Sequence, residues 1–234
     1  MKPSLPPPPA VWRPAAVVFD CDGVLMDTET AWAGVQNQVS ADYGVNFNQA
    51  ALKQLMGLSA ADVAQWITDR AGEVAVEQGR EKPSLNEVYD HLIEVEAEVV
   101  SSVLEPLPGA LETVRAFAEH MPVAVASNST AQVLDRKVRA LGLDRVITTW
   151  VSSEDVPHGK PAPDIYQEAV RRLGVAPDQA LAIEDSPAGT TSASKAGLWV
   201  LGVPNGHDEP LSCHFIAESL ADPRVREFMT EWGV

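Results

Sequence analysis

Val17–Asp27 reads VVFDCDGVLMD. A three-residue apolar run ends in two carboxylates one residue apart, followed by a glycine, a further apolar stretch and a third carboxylate. This is the pattern of a buried strand delivering acids to its tip. Side chains alternate faces along a strand, so Asp20 and Asp22 point the same way, into one pocket just past the strand end. Gly23 lets the backbone turn there. Two carboxylates this close repel one another, and ionising both is unfavourable unless a cation or a proton joins them. The pair therefore asks for a metal, a proton-transfer role, or both.

Downstream of this stretch the rhythm becomes helical. Trp32, Val35 and Val39 recur at helical spacing, with Thr28 placed to cap the start. Ser59–Asp62 forms a capping-box-like start before Val63, Trp66 and Ile67. Ser84 and Glu87 make S-x-x-E, and Leu85, Val88, Tyr89, Leu92, Val99 and Val103 then repeat as one apolar face. Glu87, Asp90, Glu94, Glu96 and Glu98 fill much of the remainder, which reads as a solvated face. No strand signal interrupts residues 28–104, and Glu105-Pro106-Leu107-Pro108-Gly109 is the expected return hinge. A helical module is thus inserted after the opening strand.

From Ala110 onward strands and helices alternate. Strands are expected at Val123–Ala126, Val146–Val151, Ala180–Ile183 and Leu198–Val203. Helices are expected over Ala110–Glu119, through Val133, Leu134, Val138 and Leu141, through Ile165–Leu173, and up to Lys195, with Gly142, Gly174 and Gly197 as stops. Alternation of this kind implies a parallel sheet with helices on both faces. In such sheets ligands bind beyond the carboxyl ends of the strands. Three strands here end in polar clusters: Asp20 with Asp22, Ser127 with Asn128, and Glu184 with Asp185. Lys160, in Lys160-Pro161-Ala162-Pro163-Asp164, follows another strand.

Each motif has an ordinary reading. D-x-D-G can be a turn, Ser127-Asn128-Ser129 a helix cap, Lys160 an exposed loop lysine, and Glu184-Asp185-Ser186-Pro187 a helix start. Together, each beside a strand, they describe an anion-and-metal site, for which Mg²⁺ is the natural cation because it takes a few carboxylates and keeps places for phosphate and water. His158 reads as a loop histidine and Cys21 as a buried filler.

The 234 residues carry 17 basic and 33 acidic side chains, a net charge of −16, which disfavours nucleic acid or an anionic membrane as partner. Cys21 and Cys213 are too few and too far apart for a disulfide framework, and they fit a reducing, cytoplasmic setting. No apolar run has the length of a membrane span, and KPSLPPPPAVWRP lacks a signal-peptide core. The proline run Pro6–Pro9 favours an extended, poorly packed tail over residues 1–14, with a polyproline ligand as the alternative.

With these motifs in their order, DCDGVLMD at Asp20, SNS at Ser127, KPAPD at Lys160 and EDSPAG at Glu184, the chain resembles the haloacid dehalogenase-like (HAD) hydrolase superfamily over residues 15–205, in the phosphatase and phosphoglucomutase-like branch with an inserted helical cap. The resemblance implies an α/β fold: a Rossmann-like core of residues 15–27 and 106–234 and a small all-helical cap of residues 28–105, hinged near Thr28 and Glu105 and closing over the site. It implies Asp20 as nucleophile forming a phosphoaspartate and Asp22 as general acid, then general base. Ser127, Asn128 and Lys160 would hold the phosphoryl group. Mg²⁺ would be bound by Asp20, Asp185 and the main-chain carbonyl of Asp22, with Glu184 touching the metal or standing one layer behind.

The substrate implied is a small phosphorylated metabolite, and the protein a monomer or small homo-oligomer. Asp22 argues against dehalogenation, because dehalogenases of the superfamily lack an acid there. A sugar phosphomutase is the alternative. Such relatives place a histidine in the first cap helix and a basic residue in the G-x-S-x-x-D loop, where this chain has Trp32 and, in Gly57-Leu58-Ser59-Ala60-Ala61-Asp62, Ala60. A non-enzymatic phospho-acceptor or metal-binding pseudoenzyme is the reading from a different class.

Overall fold

The structure is a computed structural model and describes residues 2–7, 9–55, 58–103, 105–204 and 210–234. Among these, six strands form one parallel sheet: β1 (Ala16–Asp20), β2 (Val123–Ala126), β3 (Thr149–Val151), β4 (Ala180–Glu184), β5 (Trp199–Gly202) and β6 (Phe215–Ile216). Their order is β3-β2-β1-β4-β5-β6. The chain divides into two compact units, Met1–Asp27 with Leu104–Val234, and Thr28–Val103.

In the sheet unit, β1 is apolar on both faces because helices cover both. Val17 and Phe19 belong to one buried cluster with Val114 and Phe117 of α5 (Ala110–Ala118), Leu134 of α6 (Ala131–Ala140) and Val225 of α9 (Pro223–Trp232). Ala16 and Val18 belong to the opposite cluster, with Ile165 and Tyr166 of α7 (Asp164–Leu173) and Ala193 of α8 (Pro187–Lys195). Each fully buried Val or Phe of β1 contributes about 1.5–3 kcal/mol. Nothing in that interior solvates a carboxylate, so the acid at the strand end is held by specific partners. β1 sits where the chain's progression through the sheet reverses, with β2 on one side and β4 on the other, and this is where open α/β sheets bind ligands. Asp20 and Glu184, the last residues of β1 and β4, flank that point.

The helical unit contains α1 (Glu29–Asp42), α2 (Gln49–Leu55), α3 (Ala60–Glu77) and α4 (Leu85–Val103) around its own core, which includes Val35, Val39, Leu55, Val63, Ile67, Val88 and Leu92. Ser59 caps α3 by accepting from the Asp62 N–H, and Ser84 and Glu87 form the reciprocal capping pair of α4. Thr28 precedes α1 without a side-chain cap bond. Helix α2 escaped the periodicity reading because it is only seven residues long; Asn48 Oδ1 starts it by accepting from the N–H groups of Ala50 and Ala51 at 3.0 Å. Pro8, Gly57 and residue 104, which the sequence reading used, lie outside the described residues, as do the side chains of Val99 and Val103.

Three further expectations change. The third strand is Thr149–Val151, since Val146 and Ile147 turn back to hydrogen-bond the Leu143 carbonyl. The two-residue β6 and helix α9 extend the sheet unit beyond the last expected strand. The proline-rich start is held down instead of hanging free: the N–H groups of Ser4 and Leu5 donate to the Cys213 carbonyl, and Trp12 packs with Trp199, Phe215 and Trp232.

Candidate active site

Asp20 lies at the end of β1, 5% exposed, beside three groups contributed by other strands and loops. The Lys160 ammonium donates to Asp20 Oδ1 at 2.5 Å, to Glu184 Oε1 at 2.6 Å and to the Ala126 carbonyl at 3.0 Å. Glu184 is fully buried and saturated. Its Oε1 also accepts from the Tyr166 hydroxyl at 2.7 Å, and its Oε2 accepts from the N–H groups of Asp185 and Ser186 and from the Ser186 hydroxyl.

Oxygens of Asp20, Glu184 and Asp185 all lie within 4.8 Å of one another. Gly23, at φ +82°, turns the chain there, and a Cβ at that position would fall on the Asp185 carboxylate. Gly189 plays the same part beside Glu184, whose carboxylate fills the place of the missing Cβ. Both glycines let the main chain close on the acids.

Burial pushes the Asp20 carboxyl up to about 8; Lys160 opposes this, while Glu184 and Asp22 add to it. Burial, then Asp20 and Glu184, likewise hold Asp185 well above the carboxylate range. Lys160 is raised overall, because Asp20 and Glu184 outweigh the burial that opposes its charge. One ammonium thus serves three crowded carboxyl groups. A hard divalent cation suits such a site: the donors are oxygens, they converge, and three carboxyl groups can carry more negative charge than the one Lys160 ammonium balances. Asp20, Glu184 and Asp185 could each offer an oxygen to such an ion, and Glu184, both of whose oxygens accept hydrogen bonds, could also orient the group from behind.

Asp22 stands in a separate arrangement. Its Oδ2 accepts from the Ser127 hydroxyl at 2.8 Å and from the Ser129 hydroxyl at 3.3 Å, and its Oδ1 accepts from Lys137 Nζ at 2.6 Å. The side chain is outside the acid cluster, and the resemblance assigns only its main-chain carbonyl to the metal. Ser127 is completely buried and also accepts from the Ser129 N–H, so its hydroxyl serves Asp22 in this structure. Asn128 bonds the main chain of Lys160 through both ends of its amide. The helix cap after this strand is Thr130, not one of the three preceding residues. Asp27 is exposed, and His158 is 74% exposed beside Asp164, so neither belongs to the site.

Lys137 and Tyr166 were not anticipated. A signal for Lys137 was present: Val133, Leu134 and Val138 are buried on α6, and Lys137 falls within that stripe. Tyr166 similarly follows Ile165 on the buried face of α7, where an aromatic reads as packing.

Residues 17–203 match the family described as haloacid dehalogenase-like hydrolase. The chain belongs to that family. Among relatives of this haloacid dehalogenase-like hydrolase, the phosphorylated carbohydrates phosphatase of Thermotoga maritima is 30% identical over 78% of this chain and 82% of its own length. The fructose-1-phosphate phosphatase of Escherichia coli (strain K12) is 30% identical over 80% of this chain and 94% of its own length. In fold, the β-phosphoglucomutase of Clostridium difficile superposes with a TM-score of 0.75 over 94% of this chain and 98% of its own, at 18% identity. No described helix is long and apolar enough to cross a membrane.

Proposed function

We propose that this chain is a Mg²⁺-dependent phosphatase that hydrolyses a small phosphorylated metabolite through a phosphoaspartate on Asp20. The observation that carries the reading is the separation of the two aspartates: Asp20 sits with Lys160 among the acids, whereas Asp22 is held by hydroxyls and a different lysine. Two acids of one D-x-D motif thereby meet different environments, as nucleophilic and acid/base roles require. The names of the relatives support the substrate class.

Phosphate-monoester hydrolysis needs accelerations up to about 10²¹-fold, and one acid or base supplies only about 10²–10⁴. Most of the stabilisation must be electrostatic. Lys160 balances the negative charge around Asp20 and would attract the phosphoryl oxygens. A Mg²⁺ held by Asp20, Asp185 and the Asp22 carbonyl would supply further charge neutralisation. In the first step an oxygen of Asp20 bonds to phosphorus, the ester P–O bond breaks, and Asp22 gives its proton to the leaving oxygen. In the second, water attacks the same phosphorus, Asp22 takes its proton, and the bond to Asp20 breaks to release inorganic phosphate. The helical unit Thr28–Val103 takes the cap role, and the buried free cysteines support a cytoplasmic setting.

The test is phosphate release from phosphosugars, polyol phosphates, phosphoglycolate and nucleotides, with and without Mg²⁺. Steady Mg²⁺-dependent turnover is expected, with Asp20→Asn folded but inactive; undiminished turnover by that variant removes Asp20 from the nucleophile role. Isomerisation of a sugar phosphate, dependent on a sugar bisphosphate and releasing no phosphate, would transfer the chain to the mutases.

A further inference from the structure

We propose that Lys137 is the positioning residue of Asp22, a buried ammonium on α6 that fixes the orientation of the acid/base carboxylate. The proposal rests on the role given to Asp22 above. Lys137 is 2% exposed. Its Nζ donates to Asp22 Oδ1 at 2.6 Å and to the Ser129 hydroxyl at 2.8 Å; that hydroxyl donates to Asp22 Oδ2, and the Ser127 hydroxyl donates to the same oxygen. The Ser129 N–H, bonded to the Ser127 oxygen, ties the two serines together. Both carboxylate oxygens are therefore engaged by donors from one strand end and the helix that follows it, and rotation of the carboxylate breaks at least one of these bonds.

This arrangement divides the site between two lysines. Lys160 contacts Asp20 and Glu184, and Lys137 contacts Asp22. They arrive from different elements, Lys160 from the loop before α7 and Lys137 from the second turn of α6. The Lys137 side chain is 3% exposed, while that of Asp22 is 32% exposed. The carboxylate is thus anchored from the interior while part of its side chain is reached by solvent, as a group that must hand a proton to a bound substrate requires. A buried ion pair is seldom the most stable way to fill such a space, since an apolar side chain of the same length does as well or better. A lysine here is explained by what it does to Asp22, because orientation of a proton donor controls its efficiency.

The chemistry supplies a readout that stability alone would not move. An alkoxide leaving group must receive the Asp22 proton as its P–O bond breaks, whereas para-nitrophenolate departs without one. Misorienting Asp22 should therefore slow phosphoryl transfer from an alkyl phosphate far more than from an aryl phosphate.

The experiment compares glycerol phosphate with para-nitrophenyl phosphate in single-turnover release of the leaving group, using full-length wild type, Lys137→Met, Ser129→Ala and Asp22→Asn. Lys137→Met should lose about 10-fold or more on glycerol phosphate beyond its loss on the nitrophenyl ester, and Ser129→Ala should show a smaller loss of the same kind. Asp22→Asn reports on the underlying reading. If it loses both substrates equally, Asp22 is not the proton donor. If it discriminates between them and Lys137→Met does not, only the role of Lys137 is overturned. Should Lys137→Met fail to fold, Ser129→Ala decides: equal losses on both esters, or no loss, overturn the proposal, and Lys137→Arg, which keeps a cationic donor, should hold the wild-type ratio of the two rates.

Discussion

Asn128 grips the main chain of Lys160 at both ends: its Oδ1 accepts from the Lys160 N–H at 2.8 Å, and its Nδ2 donates to the Lys160 carbonyl at 3.2 Å. Gly159 makes room, since a Cβ there would lie 2.6 Å from Asn128 Oδ1. The end of β2 thereby sets the position of the lysine that serves Asp20. Asn128→Ala removes two hydrogen bonds, a loss of about 1–3 kcal/mol in stability. It should also lower kcat by about 10- to 100-fold by releasing the Lys160 loop. Urea unfolding and steady-state kinetics on an aryl phosphate measure the two effects, and a variant with unchanged kcat would show that Lys160 is placed without this clamp.

Much of this site was legible because the buried strands β1, β2 and β4 announce themselves as apolar runs with polar ends. The runs at Val123–Ala126 and Ala180–Ile183 lie within one residue of the observed strands, and Asp20, Lys160, Glu184 and Asp185 do meet. The partners of Ser127 and Asn128 were not legible. A short polar side chain at a strand end can face a ligand or a neighbouring loop equally well, and Asn128 binds a main chain 32 residues away. Lys137 was hidden by the rule that lysines are exposed, although its place in the α6 stripe argued otherwise. Trp12 was hidden by the prolines around it, whose composition says extended but not undocked.

Two glycines in helices should respond in opposite directions. A Cβ on Gly189 would fall on the Glu184 carboxylate, whereas one on Gly34, exposed in α1, meets nothing within 4 Å. Gly189→Ala should destabilise by about 1–3 kcal/mol and impair activity through Glu184. Gly34→Ala should stabilise by about 0.5–1 kcal/mol and leave kcat unchanged, because alanine lowers the entropy of the unfolded chain. Thermal melts distinguish the two, and equal shifts would mean that Gly189 is not packed as described.

Trp12 donates from Nε1 to the Asp178 carbonyl at 2.9 Å, and Trp199 donates to the same oxygen at the same distance. Ring centroids of Trp199, Phe215 and Trp232 lie 5.5–6.3 Å from that of Trp12. Trp12→Ala should therefore lower stability by about 1–2 kcal/mol with little change in KM. A variant as stable as wild type would return the proline-rich start to the status of a free tail.

Hydrogen bonds from Arg171 and Arg172 hold the Glu168 carboxyl down to about 2, against an ordinary value of 4.5. A carboxyl depressed in the folded state stabilises fully above its unfolded value and loses that contribution as pH falls through the folded one. Glu168→Gln should accordingly be less stable than wild type at pH 7. The difference should shrink between pH 4.5 and 2 and close below that range. Unfolding midpoints of the two proteins across this range test the sign; a gap that does not narrow would assign the destabilisation to packing.

Glu184 offers a sharper test, because its two oxygens face donors on both sides. Oε1 accepts from Lys160 and Tyr166, and Oε2 from the N–H groups of Asp185 and Ser186 and the Ser186 hydroxyl. An amide cannot replace this carboxylate in either orientation, since its NH₂ always meets groups that donate. Glu184→Gln, nearly identical in shape, should lose about 3–5 kcal/mol, the effect of removing one partner from a buried ion pair. Tyr166→Phe removes a single donor and should lose only about 1.5–3 kcal/mol, with Lys160 still in place. If Glu184 orients the metal-binding acids from behind, Tyr166→Phe should also raise the Mg²⁺ concentration needed for half-maximal turnover. Isothermal titration of Mg²⁺ and activity against Mg²⁺ concentration measure that shift, and an unchanged Mg²⁺ requirement in a destabilised Tyr166→Phe protein would confine this tyrosine to holding the fold.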